Sequence, residues 1–343
     1  MERDASPGTC LILPAAHSGS LGDEAAYLGV AAGYAGSTVV RRTEEDWPQF
    51  SGVPLESVSQ DLPADASVVI GADVVDGRYG WSLPEGMVDF LRHAPGRKGI
   101  VGFSYSHDAP ARAADMYREL DSVFVARDPI SAERFAKATG REVLSGADPA
   151  FLLEASAVPP ELAVWAAEMR SRGLGILGLN LSGLLHVRHA KLRDAIAAWG
   201  ATNKQWAFLL LPHDTRNEIT DAMLLASLPF SGRSFLVTTM EAAVVKAACS
   251  LTDGVITGRM HCGIAALGCG RPALFVDYAQ KVEGLCALFG LTGCMLNLHQ
   301  QDQWQALLDR FAGRLLELEN TVRLRLPEVQ QVARLNWIGP RSS

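Results

Sequence analysis

Short apolar, β-branched runs alternate with longer helical patterns along most of the chain, and this alternation constrains the fold more than any single motif. The runs are Cys10–Leu13, Ser37–Val40, Ser67–Ile70, Gly99–Phe103 and Ser122–Val125, then Gly175–Leu179, Trp206–Leu211, Ser234–Val237, Gly254–Ile256 and Ala273–Val276. In the first half the intervening patterns predict helices over Glu24–Gly33, Pro84–His93, Pro110–Leu120 and Ile130–Thr139. A strand that is apolar on both faces needs cover on both. Helices between successive strands supply it, so the pattern predicts parallel sheets flanked by helices. A length of 343 residues is too much for one core and suits two α/β domains. Asp148-Pro149 and Val158-Pro159-Pro160 punctuate the pattern between Ala147 and Pro160, and Pro160 suits the first position of a helix. The expected organisation is α/β, with two Rossmann-like domains facing a cleft. They cover residues 1–150 and 151–320, followed by a helical tail over 321–343. Helical character is expected from Gln303 onward, interrupted at Pro327, with the tail packing back across the first domain.

Composition narrows the function classes. A net charge of −7 argues against a general nucleic-acid binder. The six cysteines form no Cys-x-x-Cys pair, so no zinc or thioredoxin-type site is expected, and scattered thiols fit a reducing compartment. The apolar run Cys10–Leu13 ends at Pro14 and is too short for a signal-peptide core. The longest lightly charged stretch, Leu174–Val187, is about 14 residues, short of a bilayer span. The expectation is a cytoplasmic protein with no transmembrane segment, touching a membrane at most peripherally.

Four constellations sit just past strand ends. The richest runs from Asp253 to Leu285. A buried strand turns at Thr257-Gly258 into a helix of small residues opened by Arg259, Met260 and His261. Free N–H groups and the helix dipole favour an anion there, Arg259 adds a rigid fork of donors, and His261 can move a proton near neutral pH. The alternative is a structural Arg and a satisfied, partly buried His. Further on, Tyr278, Lys281 and Glu283 begin another helix, where Lys281 is either a ligand group or a solvated lysine. The second constellation, His17-Ser18-Gly19-Ser20-Leu21-Gly22-Asp23-Glu24, follows the first strand. It reads as a substrate loop with Asp23 or His17 near the reacting hydroxyl, or as a turn in which Asp23 caps the next helix. Third, Arg127-Asp128-Pro129 offers an Arg to a phosphate or carboxylate, or only a surface ion pair. Fourth, in Pro212-His213-Asp214, His213 can position a ligand while Asp214 caps a helix starting near Thr215.

These residues carry a family resemblance. Gly258-Arg259-Met260-His261, the small-residue helix, Gly270-x-Pro272 and Tyr278-x-x-Lys281-x-x-Gly284 resemble the signature of the polysaccharide pyruvyl transferases. Gly19-x-x-Gly22-Asp23, Arg127-Asp128 with Ser131, Asp148-Pro149 and Pro212-His213-Asp214 follow in that family's order. The resemblance implies a GT-B-like fold, with the first domain on the acceptor side and the second on the donor side. It implies transfer of a carboxyethylidene group from phosphoenolpyruvate to two hydroxyls of a sugar, forming a ketal and releasing phosphate. The sugar belongs to a glycan or a lipid-linked oligosaccharide, and no metal or organic cofactor is needed. Arg127 and Arg259 would bind the donor, and His261 would act as acid and base. Where the family often has a run of glycines, this chain has Gly71-Ala72-Asp73-Val74-Val75-Asp76-Gly77, a loop expected to face the acceptor. Asp23, Asp73 and Asp76 are alternatives for the acceptor's base. The candidate catalytic residues are thus His261 and Asp23. The candidate substrate-binding residues are Arg127, Arg259, Gly258, Lys281, His213, Gly22 and Asp73. Two competing readings share the fold. One is a nucleotide-sugar-dependent glycosyltransferase, in which Arg and Lys hold a diphosphate and Glu283 the ribose. The other is a non-catalytic protein that binds anionic glycans.

Overall fold

The computed structural model describes residues 9–13, 19–34, 38–41, 64–183, 190–215, 218–230, 232–277 and 281–339. His17, Ser18, Tyr278 and the start of the run expected at Ser37 lie outside them. Contacts divide the chain into two units. One takes the chain before Gly19, Asp23–Leu153 and the segment from Glu328 onward; the other takes Gly19–Gly22 and Glu154–Pro327.

The first unit is a parallel sheet of β1 (Thr9–Leu13), β2 (Thr38–Arg41), β3 (Ala66–Ile70), β4 (Arg97–Phe103), β5 (Val123–Ala126) and β6 (Leu144–Ser145). Their order is β2-β1-β3-β4-β5-β6. Its helices are α1 (Leu21–Ala31), α2 (Ser82–His93), α3 (Ala111–Arg118) and α4 (Pro129–Thr139). Successive strand residues point to opposite faces, so each strand feeds two cores. Leu11, Val69, Ile100 and Phe124 pack with Phe103, Tyr117 and Phe135 on one face. Cys10, Ile12, Val68, Ile70, Val101 and Val125 pack with Tyr27 and Val30 on the other. This is the two-sided burial that unbroken apolar runs predict.

The second unit begins with α5 (Pro160–Ser171), which has Pro160 at its first position. Then follow β7 (Gly175–Asn180), α6 (Ala190–Thr202), β8 (Trp206–Leu210), α7 (Asp221–Ala226), β9 (Ser234–Leu236), α8 (Ala242–Ser250), β10 (Gly254–Thr257), α9 (Met260–Gly268), β11 (Ala273–Asp277), α10 (Glu283–Phe289) and β12 (Met295–Asn297). The strands are parallel in the order β12-β11-β10-β7-β8-β9. The order reverses between β7 and β10. The first sheet reverses between β1 and β3. Ligands of open α/β sheets bind outside the carboxyl ends of strands at such points.

All ten expected runs are strands, while β6 and β12 are additional. The tail is α11 (Trp304–Gly313) and α12 (Leu315–Ala333). Contrary to expectation, Pro327 lies inside α12 and does not interrupt it. Proline removes one N–H and one helical bond, but Val322 and Val329, buried on either side, anchor the flanking turns. The line expected between residues 320 and 321 also falls within this helix. Past it, Ile338 joins the first unit's core, Trp337 Nε1 donates to the Gly29 carbonyl at 2.9 Å, and Asn336 Nδ2 to that of Ala147 at 2.8 Å. Among the described residues, no helix is long and apolar enough to cross a membrane.

Candidate active site

The second unit's reversal point is built around Asn180, the fully buried last residue of β7. Its Oδ1 accepts from the Arg259 N–H at 3.0 Å, and its Nδ2 donates to the Leu211 carbonyl at 2.8 Å and to Asp221 Oδ2 at 3.3 Å. One amide thereby ties together the ends of β7, β8 and β10. Thr257 Oγ1 also accepts from the Arg259 N–H, at 2.9 Å, and Gly258 N–H donates to the Asn180 carbonyl at 2.9 Å. Arg259 is the N-cap of α9, with extended backbone, and the helix proper starts at Met260. Gly263 lets α9 lie on the sheet, because a Cβ there would fall 2.1 Å from Phe275 Cε1.

The Arg259 side chain does not point bare into solvent. Its Nε and Nη2 donate to Asp221 Oδ2 and Oδ1 at 3.2 and 2.9 Å, and its Nη1 lies 3.1 Å from Asp214 Oδ2. Asp221 is 0% exposed and also accepts from the Gly183 N–H at 3.0 Å and the His213 N–H at 3.2 Å. Two buried carboxylates therefore hold one guanidinium, and donors from four residues satisfy Asp221. The alternative would be a buried charge without partners, which is strongly unfavourable. Asp214 is thus no helix cap: α7 starts at Asp221 and is capped by Thr220, whose hydroxyl accepts from the Met223 N–H. Ion pairing with Arg259 outcompetes the capping role expected of an Asp before Thr215.

Asp214 also forms an isolated antiparallel bridge with Ser20. Leu21 N–H donates to the His213 carbonyl at 3.1 Å, and Thr215 N–H to that of Gly19 at 2.9 Å. This pairing brings Gly22 against His261. A Cβ on Gly22 would sit 2.2 Å from His261 Nδ1, so only glycine leaves room for the half-buried imidazole. His213 is 4% exposed, and neither ring nitrogen has a hydrogen-bond partner among the described residues. Burial pushes its pKa down to about 3, with His261 and Arg259 adding to the effect and Asp214 opposing it. His213 is therefore a neutral imidazole at physiological pH. Gly22, His213, Gly258, Arg259 and His261 thus gather at one place. Lys281 lies half-buried ahead of α10, which starts at Glu283.

In the first unit, Arg127 directly follows β5 and is 4% exposed, so the alternative of a surface ion pair with Asp128 is not the one formed. Asp128 instead caps α4, accepting from the Ser131 N–H at 2.8 Å and the Ser131 hydroxyl at 2.7 Å. Arg127 Nη2 donates to Ser104 Oγ at 2.9 Å, and its Nη1 lies 3.7 Å from Asp148 Oδ2. Ser104 N–H donates to the Ala72 carbonyl at 2.7 Å, linking the ends of β3, β4 and β5. Ala72 has φ +41°, a left-handed conformation costly for any residue with a Cβ. The loop beyond it is pinned by Asp76, which accepts from Arg78 Nε and Nη2 and from the Ser106 N–H. That buried role makes Asp76 a brace. Asp73 accepts from the hydroxyl of the exposed Tyr79 at 3.0 Å. Asp23 is not a cap either, because α1 starts two residues earlier and places it in the first turn, where the helix dipole favours a carboxylate.

Sequence reasoning missed Asn180, Asp221, Ser104 and Tyr79. Only Thr220-Asp221 left a local trace, that of a helix start.

The sequence profile of the polysaccharide pyruvyl transferases matches residues 21–280. The chain belongs to that family. A search of curated proteins found no match. Among solved structures, the fold of this pyruvyl transferase family member is similar to a putative UDP-N-acetylglucosamine 2-epimerase from Listeria monocytogenes, with a TM-score of 0.60, 13% identity, and coverage of 96% of this chain and 95% of that one. HepE of Anabaena, solved with UDP-glucose, gives a TM-score of 0.59 and 14% identity over 96% and 99% of the two chains. WaaG, a glycosyltransferase involved in lipopolysaccharide biosynthesis, gives 0.52 and 12% over 96% and 100%. At these identities the likeness establishes the fold, which is α/β, two-domain and GT-B-like.

Proposed function

We propose that the protein transfers the pyruvyl group of phosphoenolpyruvate to two hydroxyls of a sugar in a cell-surface polysaccharide or its lipid-linked precursor. The observation that carries this reading is the joining, at the β7/β10 reversal point, of a braced arginine and a histidine within a chain of the pyruvyl transferase family. Helix N-terminus and guanidinium suit a small, multiply charged anion, and His261 lies two residues from Arg259.

The chemistry balances as follows. His261 delivers a proton to the methylene carbon of phosphoenolpyruvate, and the neighbouring carbon becomes oxocarbenium-like. A sugar hydroxyl adds there and loses its proton, the C–O bond to phosphate breaks, and the second hydroxyl closes the ketal with loss of another proton. One proton is taken up at carbon and two are released; one returns to His261, and the other, taken first by the acceptor's base, leaves with the phosphate as hydrogen phosphate. Acid–base help of this kind is worth roughly 10²–10⁴-fold, and cationic stabilisation of the departing phosphate adds to it. Asp23 or Asp73 would serve as base for the acceptor, and Arg127 and Lys281 as further donor contacts. The reaction would run in the cytoplasm, at the inner membrane face where the acceptor is lipid-linked, without an organic cofactor.

The test is incubation with phosphoenolpyruvate and a panel of glycans, following phosphate release and a mass gain of ~70 Da on the sugar, the increment of a pyruvate ketal. Turnover of a nucleotide sugar with no such gain would overturn the reading in favour of a glycosyltransferase. Binding of anionic glycans without turnover of either donor would leave a non-catalytic binder.

A further inference from the structure

We propose that Asp221, assisted by Asp214, is a positioning residue that fixes the direction of the Arg259 fork and withholds part of its charge from the bound anion. The inference rests on the donor reading above only for its turnover arm. A guanidinium with both Nε and Nη2 on one carboxylate cannot swing, because the bidentate pair sets its plane. Asp221 is immobile in turn, being fully buried and held by Asn180 Nδ2 and by the Gly183 and His213 N–H groups. Asp214 Oδ2, 3.1 Å from Nη1, sets a second negative charge on the same cation.

Two carboxylates on one arginine make a poor bare anion trap. They are the arrangement expected where orientation matters more than grip, since binding substrate and transition state equally well adds nothing to turnover. A site selected only for anion affinity would have left the arginine uncompensated.

Charge and orientation separate experimentally. Asp221→Asn keeps size and one acceptor oxygen but removes the charge. It should bind inorganic phosphate and phosphoenolpyruvate at least about threefold more tightly by calorimetry, as loss of a nearby negative charge requires, while turnover falls about 10²-fold. Asp221→Glu keeps the charge and moves the carboxylate. It should leave anion affinity near that of the wild type and still lower turnover. A merely structural Asp221 would lower stability and move affinity and turnover together. Asp214→Asn has the same expected direction and carries the test if Asp221→Asn does not fold. Binding by Asp221→Asn no tighter than wild type overturns the proposal, as does wild-type turnover in both Asp221 variants, or a wild-type protein that binds neither probe. If the wild type binds the probes but releases no phosphate from phosphoenolpyruvate with any glycan, the donor reading fails while the affinity comparison still decides the role of Asp221.

Discussion

Gly22→Ala isolates the packing of the candidate acid–base residue. Gly22 is the second residue of α1, and its φ is not left-handed, so alanine is allowed by the backbone. In a helix that exchange normally stabilises by roughly 0.5–1 kcal/mol. Here the added methyl would lie 2.2 Å from His261 Nδ1, 2.6 Å from Cγ and 2.9 Å from Cβ. To reach an ordinary 3.4 Å contact, the ring nitrogen must retreat by about 1.2 Å and the His261 Cβ by about 0.5 Å. Rotation about Cα–Cβ moves the ring but leaves Cβ in place, so the backbone must give as well. Overpacking of this kind costs roughly 1–3 kcal/mol. After the helical gain, a net loss of up to about 2.5 kcal/mol remains. A catalytic group misplaced by about 1 Å can lose 10²-fold in rate. Gly86→Ala is the control. Gly86 is exposed within α2, and nothing lies within 4 Å of its virtual Cβ, so that variant should gain stability and keep full activity. Urea unfolding and phosphate release from phosphoenolpyruvate are measured on both. A Gly22→Ala protein with activity within threefold of the wild type would refute the placement of His261 as a reacting group.

His261→Ala should lower kcat by roughly 10²–10⁴-fold with little change in the KM for phosphoenolpyruvate; equal losses in both would make His261 a binding residue. His213 gives a pH signature. Its folded pKa, pushed down to about 3 by burial, lies below the ordinary 6.5, so the unfolded chain takes up the proton first. Its stability contribution is complete above pH 6.5 and is lost as pH falls toward 3, at roughly 1.4 kcal/mol per pH unit. Between pH 7.5 and 5.0 the wild type should therefore lose about 2 kcal/mol more than His213→Asn in urea titrations; parallel losses would mean His213 is hydrated or paired in solution. Ala72→Gly should raise stability by roughly 0.5–1 kcal/mol, because relief of the left-handed strain exceeds the extra chain entropy. No gain would show that the loop relaxes without it.

The fold was legible because its signal is local and repeated. An apolar run buried on both faces is readable within a few residues, which is why ten strands could be placed and why β6 and β12, Leu144-Ser145 and Met295–Asn297, which hold no β-branched residue, could not. The candidate site was legible where glycine, arginine and histidine fall within one turn, as in Gly258–His261. It was illegible where contacts span the chain. Asp221 meets Arg259 across 38 residues and Asn180 across 41, and nothing within either segment announces the partner. The same gap produced the errors. Asp23, Asp128 and Asp214 each stand where an Asp can cap a helix, yet only Asp128 does so. Local propensity supplies the candidates, and the competing partner, here the Arg259 fork for Asp214, decides among them.

That competition changes the electrostatic argument for the donor. From sequence, Arg259 counts as a full positive charge facing an anion of nearly three negative charges. In the folded chain it is shared between Asp214 and Asp221, and His213 beside it is held neutral by burial. The arginine can thus offer direction but little net charge. Positive potential must then come from groups that spend no cation, namely the main-chain N–H dipoles opening α9, and from a lysine such as Lys281. Raising ionic strength screens a partly exposed lysine far more than a buried dipole or a buried ion pair. A weak salt dependence of phosphoenolpyruvate affinity is therefore expected if the helix N-terminus carries the binding, and a steep one if Lys281 does, with Lys281→Gln abolishing the steep component.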